Sequence, residues 1–198
     1  MTRLVLASQS PRRADILRQL GLDPEIEPAH VDETMLEGEA PAAYVERLAR
    51  KKAEAVAAGR PEALVVGGDT VVVDGADVLS KPESEEHAVN MLTRLSGRAH
   101  DVLSGIAVTV DGETYSSVVR TTVRMRRFDV RMARAYVETG EPMDKAGSYG
   151  IQGIGASLVE SIEGDYYAVV GFPVGGFIDL LARAGWRFDV HTLRRSDD

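Results

Sequence analysis

One carboxylate interrupts a strongly apolar run, Val65-Val66-Gly67-Gly68-Asp69-Thr70-Val71-Val72-Val73. A charge in buried surroundings needs a partner, either a cation or a metal. The two glycines ahead of Asp69 permit close backbone approach. The alternative is an ordinary turn aspartate between two strands. Near the start, Ser8-Gln9-Ser10-Pro11-Arg12-Arg13 leads into a helical pattern with Ile16, Leu17 and Leu20 on one face and Gly21 as the stop. Ser10 is the expected N-cap and Pro11 the first helical residue. A helix N-terminus carries roughly +0.5 charge, so two arginines there cost a few tenths of a kcal/mol unless an anion joins them. Backbone N–H groups, serine hydroxyls and two guanidiniums together suit a phosphate. Solvated arginines on a plain capped helix are the competing reading. A third group, Val31-Asp32-Glu33, offers hard carboxylate oxygens of the kind Mg²⁺ takes, or is simply an acidic loop. Lys52, Lys81 and Lys145 read individually as surface lysines.

Other chemistries are excluded. Cysteine is absent, so there is no disulfide, thiol catalysis or thiolate metal site. The histidines, at 30, 87, 100 and 191, are scattered and form no close-spaced ligand pair. There is no G-x-x-x-x-G-K-[ST] and no G-x-S-x-G, and Gly150-Ile151-Gln152-Gly153-Ile154-Gly155 lacks the strand–turn–helix context of a dinucleotide fingerprint. A net charge of −8 and a pI near 5.1 argue against a nucleic-acid polymer as partner. No run of eighteen apolar residues marks a membrane span. The first apolar stretch is shorter than a secretory h-region needs, so the cytoplasm is the expected compartment.

The elements that must position these groups alternate along 198 residues. Residues 3–7 read as a strand, 11–20 as a helix, and 41–58 as a second helix from Pro41 to a stop at Gly59. A buried strand over 63–66 is expected to break at Gly67-Gly68 and resume over 71–73 into an Asp74-Gly75 turn. Ser84 caps a helix ending near Gly97. Residues 101–110 and 113–128, joined by Asp111-Gly112, read as a long hairpin. Asp129 caps a helix ending at Gly140, a glycine-rich passage follows, 173–184 is a helix, and 187–190 is a last strand. Parallel βα units followed by antiparallel strands predict an α/β fold with a mixed sheet.

Taken together, LASQSPRR, the VDE at 31–33, Lys52-Ala53, GDTVV at 68–72, LSKPES at 79–84, AVNMLTRLSGRAHDVLSG at 88–105, YVETGEPMDKAGSYGIQG at 136–153 and VVGFPV at 169–174 resemble the Maf family of nucleotide pyrophosphatases. Their order and spacing carry the resemblance, from Leu6 to about Pro173. It implies hydrolysis of a nucleoside triphosphate between the α and β phosphates with a divalent metal, Mg²⁺ or Mn²⁺. By resemblance Asp69 is the catalytic carboxylate, a proton acceptor. Arg12, Thr70 and Gln152 align with specificity positions, and Arg13, Glu33, Lys52 and Lys81 with the polar set around the phosphates. Glu33, Lys52 and Lys81 join Asp69 as catalytic residues, Ser8 and Ser10 join the substrate-binding set, and Glu33 and Asp69 are the expected metal ligands. The implied fold is one elongated α/β domain over residues 1–198, with two lobes around a central cleft, as in inosine triphosphatases. Gln152, in DKAGSYGIQG, points to the branch acting on dTTP and UTP. Its amide can donate to a pyrimidine O4 and accept from N3–H, although a flipped amide also suits cytosine. Ser104 and Asp165-Tyr166-Tyr167 depart from the branch pattern. A nucleotide-binding regulator of septum formation, or the same chemistry on methylated GTP, are the alternatives. The expected partner is the nucleotide, with no membrane, and a homodimer is compatible with the family.

Overall fold

The computed structural model describes residues 3–197. The β-branched run from Ala63 to Asp74 forms one unbroken strand, β3 (Ala63–Asp74), so the expected break at Gly67-Gly68 is wrong. Packing explains why. The helix α2 (Pro41–Ala57) lies directly on Gly67, where a Cβ would stand 2.3 Å from the Ala49 carbonyl oxygen and 2.7 Å from the Ala53 nitrogen. Gly105, on β5 (Ala99–Val110), meets the same helix one turn earlier, with its Cβ position 2.3 Å from the Val45 carbonyl oxygen. These glycines seat a helix; they do not end a strand.

Around β3 the order of hydrogen-bonded strands is β2 (Glu25–Ile26), β1 (Arg3–Leu6), β3, β5, β6 (Glu113–Met125) and β7 (Val159–Glu163), with β4 (Asp77–Leu79) also pairing β3. β1 pairs in parallel with both β2 and β3, Val5 facing Glu25 and Val65, whereas β4 and β7 pair antiparallel with β3 and β6. Asp111 and Gly112, with φ of 53° and 82°, make the expected two-residue turn between β5 and β6. The mixed α/β sheet is as the sequence predicts.

The chain divides into two compact units. The first holds the described residues of Met1–Asp69, Ser104–Val119 and Gly171–Asp198. Its small-residue core, Val5, Ala7, Ala49, Ala53, Ala63, Val65 and Ala107, is what so close a helix–sheet approach requires. The helices α1 (Pro11–Gln19) and α6 (Val174–Arg183) belong to it, as do β8 (Trp186–Phe188) and β9 (Leu193–Arg195), which pair with each other. The expected last strand over 187–190 is therefore displaced to Trp186–Phe188. Its hairpin turn carries Val190 and His191 at positive φ, residues that do not advertise a turn.

The second unit holds Thr70–Leu103 and Arg120–Val170. Leu92, Leu95, Val123, Met125, Tyr136 and Leu158 lie in its core, between α3 (Glu85–Leu95) and α4 (Val130–Val137) and the strands. Ser84 and Asp129 cap these helices as expected, accepting from the N–H groups of His87 and Met132. The short α5 (Tyr166–Val170) follows Asp165, whose carboxylate accepts from the Tyr167 and Ala168 N–H groups. Among the described residues no helix is long and apolar enough to cross a membrane.

Candidate active site

The buried stripe of α2 runs Val45, Leu48, Ala49, Lys52, Ala53, Val56. Lys52 thus occupies a core position of an amphipathic helix. Its side chain is 10 % exposed, and Nζ lies 2.8 Å from Asp69 Oδ1 and 2.8 Å from Glu33 Oε1. The signal that separates Lys52 from a surface lysine was in the sequence: it interrupts an apolar stripe. Asp69 is a strand residue, not a turn residue. It and Thr70 are the two half-buried positions in an otherwise buried β3. Its carboxylate meets the need of a charge in an apolar strand with a cation.

Glu33 arrives differently, from an exposed loop. Tyr44 and Arg47, one turn apart on α2, fasten that loop. The Tyr44 hydroxyl donates to the Glu33 carbonyl oxygen at 2.8 Å. Arg47 donates through Nε and Nη2 to the two oxygens of Glu39, each at 2.6 Å, and through Nη2 to the Thr34 carbonyl oxygen at 3.1 Å. The Arg47 fork holds the Glu39 carboxyl at about 2. Burial, reinforced by the charges of Asp69 and Glu33, pushes the Tyr44 phenol up. Sequence reasoning missed this clamp, because a Tyr and an Arg three apart on a helix carry no distinctive pattern.

At the start of α1, Ser10 is the N-cap residue and Pro11 the first helical residue, as expected, but the Ser10 side chain makes no capping hydrogen bond. That part of the expectation is corrected. Ser8 instead ties the segment together: its Oγ accepts from the Ser10 N–H at 3.2 Å and from Arg13 Nη1 at 2.9 Å. Arg13 is buried, and its Nε donates to the Gly171 carbonyl oxygen at 2.8 Å. Burial lowers its pKa, against the pull of Asp69, while Arg12 adds to the lowering and Glu33 opposes it. A Cβ on Gly68 would lie 3.3 Å from Arg13 Nε, so this glycine makes room for the guanidinium. Arg12, half-buried, is the more accessible of the two arginines.

Lys52, Asp69 and Glu33 are therefore in contact, and Ser8, Ser10 and Arg13 are linked. Thr70, Lys81 and Gln152 belong to the second unit. Lys81 is exposed in the loop after β4, and Gln152 is exposed at the head of a 3-10 turn, Gly153–Leu158. Among the described residues there is no cluster of three or more His, Asp or Glu placed to hold a metal. Mg²⁺ commonly takes only one or two protein carboxylates and fills its shell with water and substrate phosphate. Two carboxylates converging on the Lys52 ammonium fit that regime.

A mixed α/β sheet, with a lysine-bridged carboxylate pair on the strand and loop beside one helix, defines the class: the family model described as Maf-like protein matches residues 3–184, and the chain belongs to that family. Among its relatives is the dTTP/UTP pyrophosphatase of Moorella thermoacetica, 50% identical over 190 residues, covering 93% of this chain and 96% of that protein. The dTTP/UTP pyrophosphatase of Symbiobacterium thermophilum is 47% identical over 186 residues, 94% of this chain and 96% of its own. That of Vibrio cholerae is 49% identical over 175 residues, 88% and 94%.

Proposed function

We propose that this protein hydrolyses the α–β phosphoanhydride of dTTP or UTP, releasing the nucleoside monophosphate and pyrophosphate. The observation that carries the reading is the Lys52 ammonium held 2.8 Å from both Asp69 and Glu33, in a chain whose relatives bear that activity in their names. Phosphoanhydride hydrolysis asks for a positioned water and charge neutralisation more than for covalent chemistry. Lys52 holds the Asp69 carboxylate through Oδ1, and that carboxylate takes the proton of the attacking water. As the water oxygen bonds to the α-phosphorus, the α–β bridging P–O bond breaks and its electron pair leaves with pyrophosphate. An ammonium has three donors; with two on carboxylates, the third serves a phosphoryl oxygen. Arg12 and the N–H groups opening α1 bind further phosphate oxygens. Arg13 and Ser8 hold that segment in place, and Ser10 lies within it. Lys81 is assigned to phosphate, Thr70 and Gln152 to nucleotide selection.

Glu33 and Asp69 would hold a divalent cation, which when bound neutralises phosphate charge and lowers the pKa of a coordinated water. Residues 1–198 are taken as one functional domain, since neither compact unit is a continuous stretch of chain. A free nucleotide as substrate supports a cytoplasmic location.

The test is product analysis with purified protein, a panel of nucleoside triphosphates, and Mg²⁺, Mn²⁺ or EDTA. Metal-dependent pyrophosphate release from dTTP and UTP, abolished by Asp69→Asn, is the expected result. Turnover of methylated GTP alone would overturn the substrate assignment. Tight nucleotide binding without turnover of any substrate would overturn the enzymatic one.

A further inference from the structure

The residues around Gln152 form a closed circuit of hydrogen bonds in the second unit. Glu141 Oε1 accepts from the Gly155 N–H at 2.9 Å and from the Tyr136 hydroxyl at 2.8 Å, and Oε2 accepts from the Ile154 N–H at 2.9 Å. The Tyr136 oxygen in turn accepts from the Gly150 N–H at 3.1 Å. Gly150 on one side and Ile154 with Gly155 on the other are thus pinned to one carboxylate and one phenol. Between these pinned ends lie Ile151, Gln152 and Gly153, a short arch of chain on which Gln152 is exposed.

The glycines are what such a circuit demands. A Cβ on Gly153, whose φ is +68°, would lie 2.7 Å from Glu141 Oε2. A Cβ on Gly155 would lie 2.3 Å from the Gly150 carbonyl oxygen and 2.5 Å from the Tyr136 oxygen. Lys145 adds an ion pair to Asp144 at 2.7 Å and a hydrogen bond to the Glu141 carbonyl oxygen. Burial works to raise the Glu141 pKa, but the Gly155 and Ile154 N–H groups and the Tyr136 hydroxyl outweigh it, so the carboxylate is ionised and accepting.

We propose that Glu141 is a positioning residue for substrate selection: its carboxylate, with Tyr136, fixes the arch that presents Gln152 to the nucleotide base. This rests on the reading of Gln152 given above. An amide reads a base edge only if its backbone is held; a loop free to rotate would present donor and acceptor indifferently. A glutamine at 141 would turn one accepting oxygen into an NH₂ facing a donor.

The experiment is steady-state kinetics on UTP and GTP for Glu141→Gln, Tyr136→Phe, Gln152→Ala and the Glu141→Gln/Gln152→Ala double variant, with thermal unfolding of each. The expected result is a KM for UTP raised about tenfold in Glu141→Gln, kcat within about threefold, and a weakened preference for UTP over GTP. Tyr136→Phe, which deletes one hydroxyl, shifts the same quantities less and supplies the test if Glu141→Gln fails to fold. The double variant is no worse than Gln152→Ala alone, because Glu141 acts through Gln152. A Gln152→Ala effect on KM and preference that neither Glu141→Gln nor Tyr136→Phe shares, or additive effects in the double variant, would overturn the positioning role alone. No effect of Gln152→Ala would overturn the base-reading assignment and this inference with it.

Discussion

A lysine on the buried stripe of a helix is unfavourable unless its ammonium is met by anions. Lys52 meets two, Asp69 from the strand and Glu33 from the loop, at 2.8 Å each. Removing it would leave two carboxylates facing each other with less compensation. Lys52→Met should therefore lower kcat by about 10²-fold or more and cost about 1–3 kcal/mol of stability in urea unfolding at pH 7. An unchanged kcat would show that the ammonium is only structural. Lys52→Arg should not restore the rate, since a planar fork cannot occupy the place of a tetrahedral point charge. Asp69 stood out in the sequence because a lone carboxylate in an apolar run is chemically conspicuous. Lys52 was legible only as an interruption of the apolar stripe of α2; Tyr44 and Arg47 did not stand out at all, since their roles depend on which loop they fasten, and that is tertiary information. Arg13 reads from the sequence as a candidate phosphate ligand; in the fold its guanidinium is buried and also ties the segment together, with Nε on the Gly171 carbonyl and Nη1 on Ser8. The backbone acceptor at Gly171 was not legible, because it lies 158 residues away along the chain.

Among the elements, α2 and β3 decide the geometry, and two glycine substitutions of opposite sign test it. Gly67→Ala forces a methyl into the backbone of α2 near Ala49 and Ala53, costing about 1–3 kcal/mol by overpacking. It should also lower kcat, because the helix that must shift carries Lys52. Gly175→Ala, near the start of α6, where the new methyl has no described atom within 4 Å beyond its chain neighbours and its own helix backbone, should stabilise by about 0.5–1 kcal/mol. Thermal melts of both proteins give the signs directly; a neutral Gly67→Ala would mean that the helix does not rest on the strand. Helix starts at Pro11, Ser84 and Asp129 and the Asp111-Gly112 turn were visible because they are local chemistry. The Gly67-Gly68 pair was misread as a strand break for the complementary reason: by local rules adjacent glycines interrupt a strand, and only the helix above explains their presence inside one. The short β7, α5 and β9 lack the length or periodicity that a sequence pattern requires.

For the molecule as a whole, one pH-sensitive group is a histidine of the second unit. His100 is buried, its Nε2 is 2.7 Å from the Tyr149 hydroxyl, and Nδ1 has no hydrogen-bond partner among the described residues. Burial depresses its pKa from 6.5 to about 4, against the weaker pull of Asp74 and Asp101. Between these values the unfolded chain takes up a proton that the native one refuses. The contribution is complete above pH 6.5 and is lost as the pH falls towards 4, amounting to about 2–3 kcal/mol. His100→Gln should narrow the difference between urea stabilities measured at pH 7 and pH 4.5 by that amount. Equal differences in the two proteins would show that His100 is protonated in the native state.

The helix α2 seats its backbone on Gly67 and Gly105, fastens the Glu33 loop through Tyr44 and Arg47, and delivers Lys52 to both carboxylates. Architecture and chemistry share one helix, so a change that moves it alters both. Stabilising substitutions are therefore expected on elements such as α6, no residue of which makes the contacts of Lys52, Tyr44 or Arg47 described above.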